Sequence, residues 1–186
     1  MNFVIVGESR CGKSSLANMI CSNIPNHAKI SVDALVMAFK KAFPNNAINF
    51  YENKRNDFHV FLEAFFDNCL YMSTNCNYVF EGNIPHETVL NLSRLENVKV
   101  ICLGKTEITA KEFYNEIRKY EINLSTGGWT KRLDDKTLLS WCDGWIKNSK
   151  NHKQFCENNN FIFVDTSYNQ MSVLSGLVKK IESSDF

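Results

Sequence analysis

Four residues near the start of the chain have types and spacing that suit one kind of chemistry. In FVIVGESRCGKSS, residues 3–15, Gly7, Gly12, Lys13 and Ser14 fall in the pattern G-x-x-x-x-G-K-[ST] behind four strand-forming residues. Glycines let such a loop curl until its backbone N–H groups converge on phosphate oxygens, and the start of the following helix adds positive potential. A lysine supplies a point charge for the terminal phosphates. The hydroxyl suits Mg2+, a hard cation that takes oxygen ligands and keeps several waters. The spacing therefore predicts a phosphate cradle made of Gly7, Glu8, Ser9, Arg10, Cys11, Gly12, Lys13 and Ser14, with Ser14 on the metal. Cys11 admits two readings: a thiol activated by Lys13 and the helix start, or a residue that fills the loop.

On residues 7–14 the chain resembles the P-loop (Walker A) NTPases, and within them the small-molecule kinases that include nucleoside monophosphate kinases and shikimate-type kinases. Those kinases usually carry another glycine or a proline inside the loop, where this sequence has Glu8, Ser9, Arg10 and Cys11. The resemblance implies a three-layer α/β P-loop NTPase fold, with a lid and an acceptor-binding helical insertion. It also implies ATP and Mg2+, with Ser15 near the α-phosphate. Glu81, which closes YVFEG, takes the position of the acid that holds the metal shell in such proteins, and it can equally be a strand-end residue paired with a neighbour. The resemblance further places arginines in a lid after the fourth strand; Arg118, Lys131 and Arg132 are the cations available there, and Arg132 is the one expected to act on the transferred phosphoryl group.

Asp33 ends the second apolar run, at the sheet edge where ligands of open α/β sheets bind. It can accept a proton from a substrate hydroxyl, or orient that hydroxyl, or simply cap a helix beginning at Ala34. Lys54 and Arg55 lie on the acceptor side, as an anion site or as an exposed charged loop. With only Arg55 and Arg94 near that side, the reading leans toward a hydroxyl acceptor rather than a nucleotide phosphate. His59 and His86 have neither metal-ligand spacing nor a visible carboxylate partner and receive no role.

The elements that must position these residues alternate along the chain. Strands are predicted over 3–6, 29–32, 78–82, 98–103 and 161–164. Helices are predicted after Lys13, over 34–43, 57–72, 86–95 and 109–120, around Leu138 to Ile146, and over 170–181. Five buried strands separated by helices predict a parallel sheet covered on both faces. Residues 34–76 are expected to form the acceptor insertion and 122–136 the lid, in which Gly127 and Gly128 could hinge and Trp129 could cover a substrate ring or plug the loop. In VDTS, residues 164–167, the resemblance implies a contact to the adenine base; the other reading is a cap for the last helix.

Length and charge narrow the classes. A chain of 186 residues suits one domain, and a net charge of +1 gives no broad field for nucleic acid or lipid. Seven scattered cysteines without a C-x-x-C pair signal neither a disulfide framework nor zinc. The chain is expected to be cytoplasmic, monomeric or homodimeric, with a small-molecule acceptor and no nucleic-acid or membrane partner. A GTPase switch would carry N-K-x-D and D-x-x-G where this chain has FVDTS and FEGN. A regulatory NTPase without a small acceptor is the alternative retained.

Overall fold

The computed structural model describes residues 1–44, 57–72, 75–122 and 128–183. The elements, in chain order, are β1 (Asn2–Gly7), α1 (Lys13–Asn23), β2 (His27–Ser31), α2 (Val32–Ala42), α3 (Asp57–Met72), β3 (Asn77–Gly82), α4 (His86–Ser93), β4 (Val98–Gly104), α5 (Ala110–Ile122), α6 (Asp135–Asn159), β5 (Ile162–Asp165) and α7 (Gln170–Glu182). A 3-10 turn, Trp129–Arg132, precedes α6. Among the described residues no helix is long and apolar enough to cross a membrane.

The five strands pair in the order β2-β3-β1-β4-β5, all parallel. Alternation along β1 shows why both faces are covered. Val4 and Val6 join Phe80 and Cys102 in a core against Phe58, Leu62 and Phe66 of α3 and Val89 and Leu92 of α4. Phe3 and Ile5 point the other way, against Leu16 and Ile20 of α1 and Leu174 and Val178 of α7. A two-residue strand period thus feeds two helix layers from one segment. A third cluster, Phe113, Ile117, Leu138, Cys142 and Ile146, holds α5 against α6.

One boundary differs from the sequence reading in a way that matters. The second strand stops at Ser31, two residues before Asp33, because the Ser31 side chain accepts a hydrogen bond from Ala34 N at 3.4 Å and starts α2 at Val32. Asp33 is therefore a first-turn residue, and Ser31 holds the capping position proposed for it.

Candidate active site

The loop 8–12, Asp33 and Glu81 meet at the carboxyl ends of the strands. β1 runs into the loop 8–12 and α1, the first turn of α2 carries Asp33 just past β2, and β3 carries Glu81, beside β1 in the sheet. Since β3 and β4 flank β1, the loop sits where chain connections depart to opposite sides, the usual crevice of open α/β sheets.

The loop has the backbone its glycines foretold. Gly7 (φ +144°) and Gly12 (φ +96°) lie where side chains are disfavoured, and Arg10 (φ +64°) adopts the left-handed conformation as well. Gly7 also packs against β4: a Cβ there would stand 2.0 Å from the Leu103 carbonyl oxygen. Gly12 occupies the α1 cap with no side-chain acceptor. The first bond of the helix is Leu16 N to Gly12 O at 2.9 Å, so the amides before Leu16 have no intrahelical acceptor.

Lys13 is buried and its Nζ donates to Glu8 O at 2.8 Å, folded back over its own loop. Ser14 Oγ donates to Glu81 Oε2 at 3.0 Å, which joins the two expected metal residues between the start of α1 and the end of β3. Burial pushes the Glu81 carboxyl above the usual range and nearby Asp33 adds to the rise; the Ser14 hydrogen bond and the Lys13 charge oppose it. Asp33 lines the same cleft, and its Oδ1 would lie 3.4 Å from a Cβ placed on Gly82. The cleft measures about 880 Å³ and runs from Glu8, Ser9 and Lys13 past Asp33 to Trp129 and the face of α6.

Other expected residues are placed elsewhere or held by different partners. The Arg10 guanidinium leaves the loop, lies 5.7 Å over Tyr120, donates to Thr130 Oγ1 and approaches Glu121 at 3.8 Å. It pins the described part of the expected lid, residues 128–136, to the phosphate loop. Gly128 has an ordinary extended backbone and packs against the Arg10 guanidinium, whose Nη2 would lie 2.6 Å from a Cβ there and would have to swing aside. Arg118 is tied to Glu121 Oε2 at 3.0 Å, Asp135 Oδ1 at 2.8 Å and the Leu133 carbonyl at 2.8 Å. Arg132 and Lys131 are exposed and do not line the cleft. Lys54, Arg55 and Gly127 lie outside the described residues.

At two positions the structure removes one of the alternatives. Cys11 is fully buried and desolvation pushes its thiol up to about 11 despite nearby Lys13, so it fills the loop rather than reacting. VDTS does not cap α7, whose cap is Asn169. Instead Thr166 Oγ1 reaches Cys11 O and Gly104 O, both at 3.1 Å, fastening the underside of the phosphate loop. Burial works against the charge of Asp165, but hydrogen bonds from Ser167 and Thr106 outweigh it and hold the carboxyl below its usual range.

The structure also assembles residues that no local pattern announced. Glu8 Oε1 lies 3.4 Å from His152 Nε2, and His152 Nδ1 lies 2.9 Å from His86 Nε2. His86 stacks on Phe155 at 3.8 Å, and burial with the His152 charge lowers it to about 4. The available signal was the α6 spacing Trp141, Trp145, Asn148, His152, which marks a second helix stripe beside the one formed by Leu138, Cys142 and Ile146.

The whole chain aligns with the crystal structure of a gluconokinase from Sinorhizobium meliloti 1021, covering 100% of this chain and 97% of that one at a TM-score of 0.53. The fold is that of the P-loop kinases. Identity over the alignment is 12%, so the likeness extends to fold and not to activity. No protein-family model and no curated protein matches the sequence.

Proposed function

We propose that the chain is an ATP- and Mg2+-dependent phosphotransferase that moves the γ-phosphoryl group to a hydroxyl of a small metabolite. The observation that carries this is the curled loop Gly7–Ser14, with Ser14 bonded to Glu81 and with Lys13 and Asp33 lining one cleft. Similarity of fold to a gluconokinase supports the class of reaction.

The residues present fit both groups. Gly12 leaves the helix start without a side-chain cap, which suits phosphate oxygens on the amides. Ser14 and Glu81 would hold Mg2+, whose preference for water ligands agrees with the absence, among the described residues, of any cluster of three metal-binding side chains. When bound, the ion supplies charge compensation along the phosphates. The loop amides would orient the triphosphate tail. Lys13 would exchange its bond to Glu8 O for the terminal phosphates and stabilise charge that develops during transfer. Asp33 would orient the acceptor hydroxyl and take its proton on a carboxylate oxygen. Arg132, exposed on the 3-10 turn, and Arg118, held at the end of α5, would assist only if that segment rearranged around bound nucleotide.

ADP release tests the proposal. The protein with ATP and Mg2+ is offered nucleosides, nucleotides, sugars and shikimate-like acids. Release above the ATP-only background with at least one acceptor is expected. ATP binding with a flat background across all acceptors would favour the regulatory NTPase.

A further inference from the structure

One wall of the cleft is aromatic, and it holds all 3 tryptophans of the chain. Trp129, Trp141 and Trp145 have ring centroids 5.8, 6.1 and 6.0 Å apart, tilted by 44° to 80°, so none is stacked face to face on another. Trp129 is 51% exposed and Trp141 39%, although indole is among the most favourable groups to bury. On the same stretch of α6, Asn148 and Asn151 also line the cleft, and each amide offers both donors and an acceptor. Among the described residues the lining contains only two cationic side chains, Lys13 and Lys40, and Lys13 belongs to the phosphate loop.

We propose that this wall is a binding subsite for an uncharged flat heterocycle with hydrogen-bonding edges, the base of a nucleoside whose sugar hydroxyl faces Asp33. The inference rests on the phosphotransferase reading only for the word acceptor; the subsite itself stands on the wall. Unstacked indole faces favour a guest with its own π face, because ring stacking is indifferent to sequence but requires flatness. Paired amide donors and acceptors suit the edge of a base. A sugar acid or a nucleotide would bring an anion needing a compensating cation; among the described residues the lining offers Lys13, Lys40 and three histidines but no arginine, and neither lysine lies on α6 beside Trp141 and Trp145. A neutral sugar could lay a C–H face on an indole but brings no π face of its own, and the glucose and gluconate arms of the titration distinguish it from a base.

Since every tryptophan lies in this wall, intrinsic fluorescence reads its occupancy without any turnover. Cytidine, thymidine and guanosine are titrated separately, avoiding the adenine that ATP shares, with gluconate and glucose in parallel. At least one nucleoside should quench saturably, and Trp141→Leu should weaken its binding about tenfold with the fold intact by circular dichroism. Asn148→Ala should weaken it too, with the quenching amplitude kept. Silence of all three nucleosides at millimolar concentration, or saturation by gluconate or glucose alone, would overturn the inference. ATP calorimetry on the same protein separates the two ideas: ATP binding with silent nucleosides removes the subsite and leaves the phosphotransferase, whereas nucleoside binding without ATP binding does the reverse.

Discussion

Alanine at Gly7 and alanine at Gly12 should fail in different ways, although both glycines belong to one motif. At Gly7 the new methyl would stand 2.0 Å from Leu103 O and 3.0 Å from Leu103 C. Both are backbone atoms of β4, paired with Gly7 at the centre of the sheet, and neither can swing aside. Relief means parting the strand ends, at a loss of about two ladder hydrogen bonds of about 1 kcal/mol each. Backbone strain at a positive φ adds about 1–3 kcal/mol. A total of about 3–5 kcal/mol is a large fraction of the stability of an ordinary domain. At about 2–4 °C per kcal/mol for a chain of this size, Tm should fall by about 6–20 °C. At Gly12 the nearest atoms are Gln170 Nε2 and Leu174 Cδ1, both at 3.0 Å and both the far ends of flexible side chains. Only the left-handed strain of about 1–2 kcal/mol remains. Gly12→Ala should therefore melt within about 5 °C of the parent yet bind ATP about 10- to 100-fold more weakly, since displaced amides forfeit about one charge-assisted hydrogen bond. Scanning calorimetry and ATP titration calorimetry measure both. The reasoning is refuted if Gly7→Ala melts like the parent, or if Gly12→Ala unfolds as readily as Gly7→Ala.

Lys13→Ala should leave the protein folded, weaken ATP binding and reduce turnover by about 100- to 1,000-fold, the usual cost of one donor to developing charge; ADP release at saturating ATP is the check, and turnover within threefold of the parent contradicts the assignment. Asp33→Asn should lower turnover far more than ATP affinity, and equal losses in calorimetry and steady-state kinetics would show that it supports the nucleotide side instead. His86 should make the fold sensitive to mild acid. Its folded value of about 4 lies below the model-compound value of 6.5, so the unfolded chain binds more protons between them and stability must fall as pH drops through that window. The full shift corresponds to about 3 kcal/mol, and the half-buried ring should retain about 1 kcal/mol of it after solvent screening. Urea midpoints of the parent and His86→Asn between pH 7 and pH 4 measure it; parallel curves for the two proteins would show that the ring is not held neutral by burial.

The conformation of the loop after β1 was legible in the sequence because its requirements are local. A strand, two glycines, a lysine and a hydroxyl within 12 residues specify a curled loop at a helix start, and the structure has that loop with positive φ at Gly7 and Gly12. Alternating apolar runs specified five strands between helices, since a period of two and a period near four cannot be satisfied by one conformation. The Asp33 boundary was missed because Ser31 and Asp33 are both good caps, and the choice between them depends on which one the end of β2 presents to Ala34 N.

What tertiary structure alone decided are the relations between distant segments. Strand order brings Glu81 beside Ser14, 67 residues away, and nothing in either stretch encodes that neighbour. The fate of the arginines was likewise a matter of packing: Arg118 and Arg10 converge on the buried Glu121, where removing charge from water requires compensation, so residues that read as phosphate ligands also serve to close α5 over the loop. The Glu8–His152–His86 contacts and the tryptophan wall arise because α6 is long enough, at 25 residues, to pack one face on α5 and turn the other to the cleft. A periodic pattern announces that a helix has two faces; only the assembled fold determines what each face meets, because burial depends on neighbours that arrive from elsewhere in the chain.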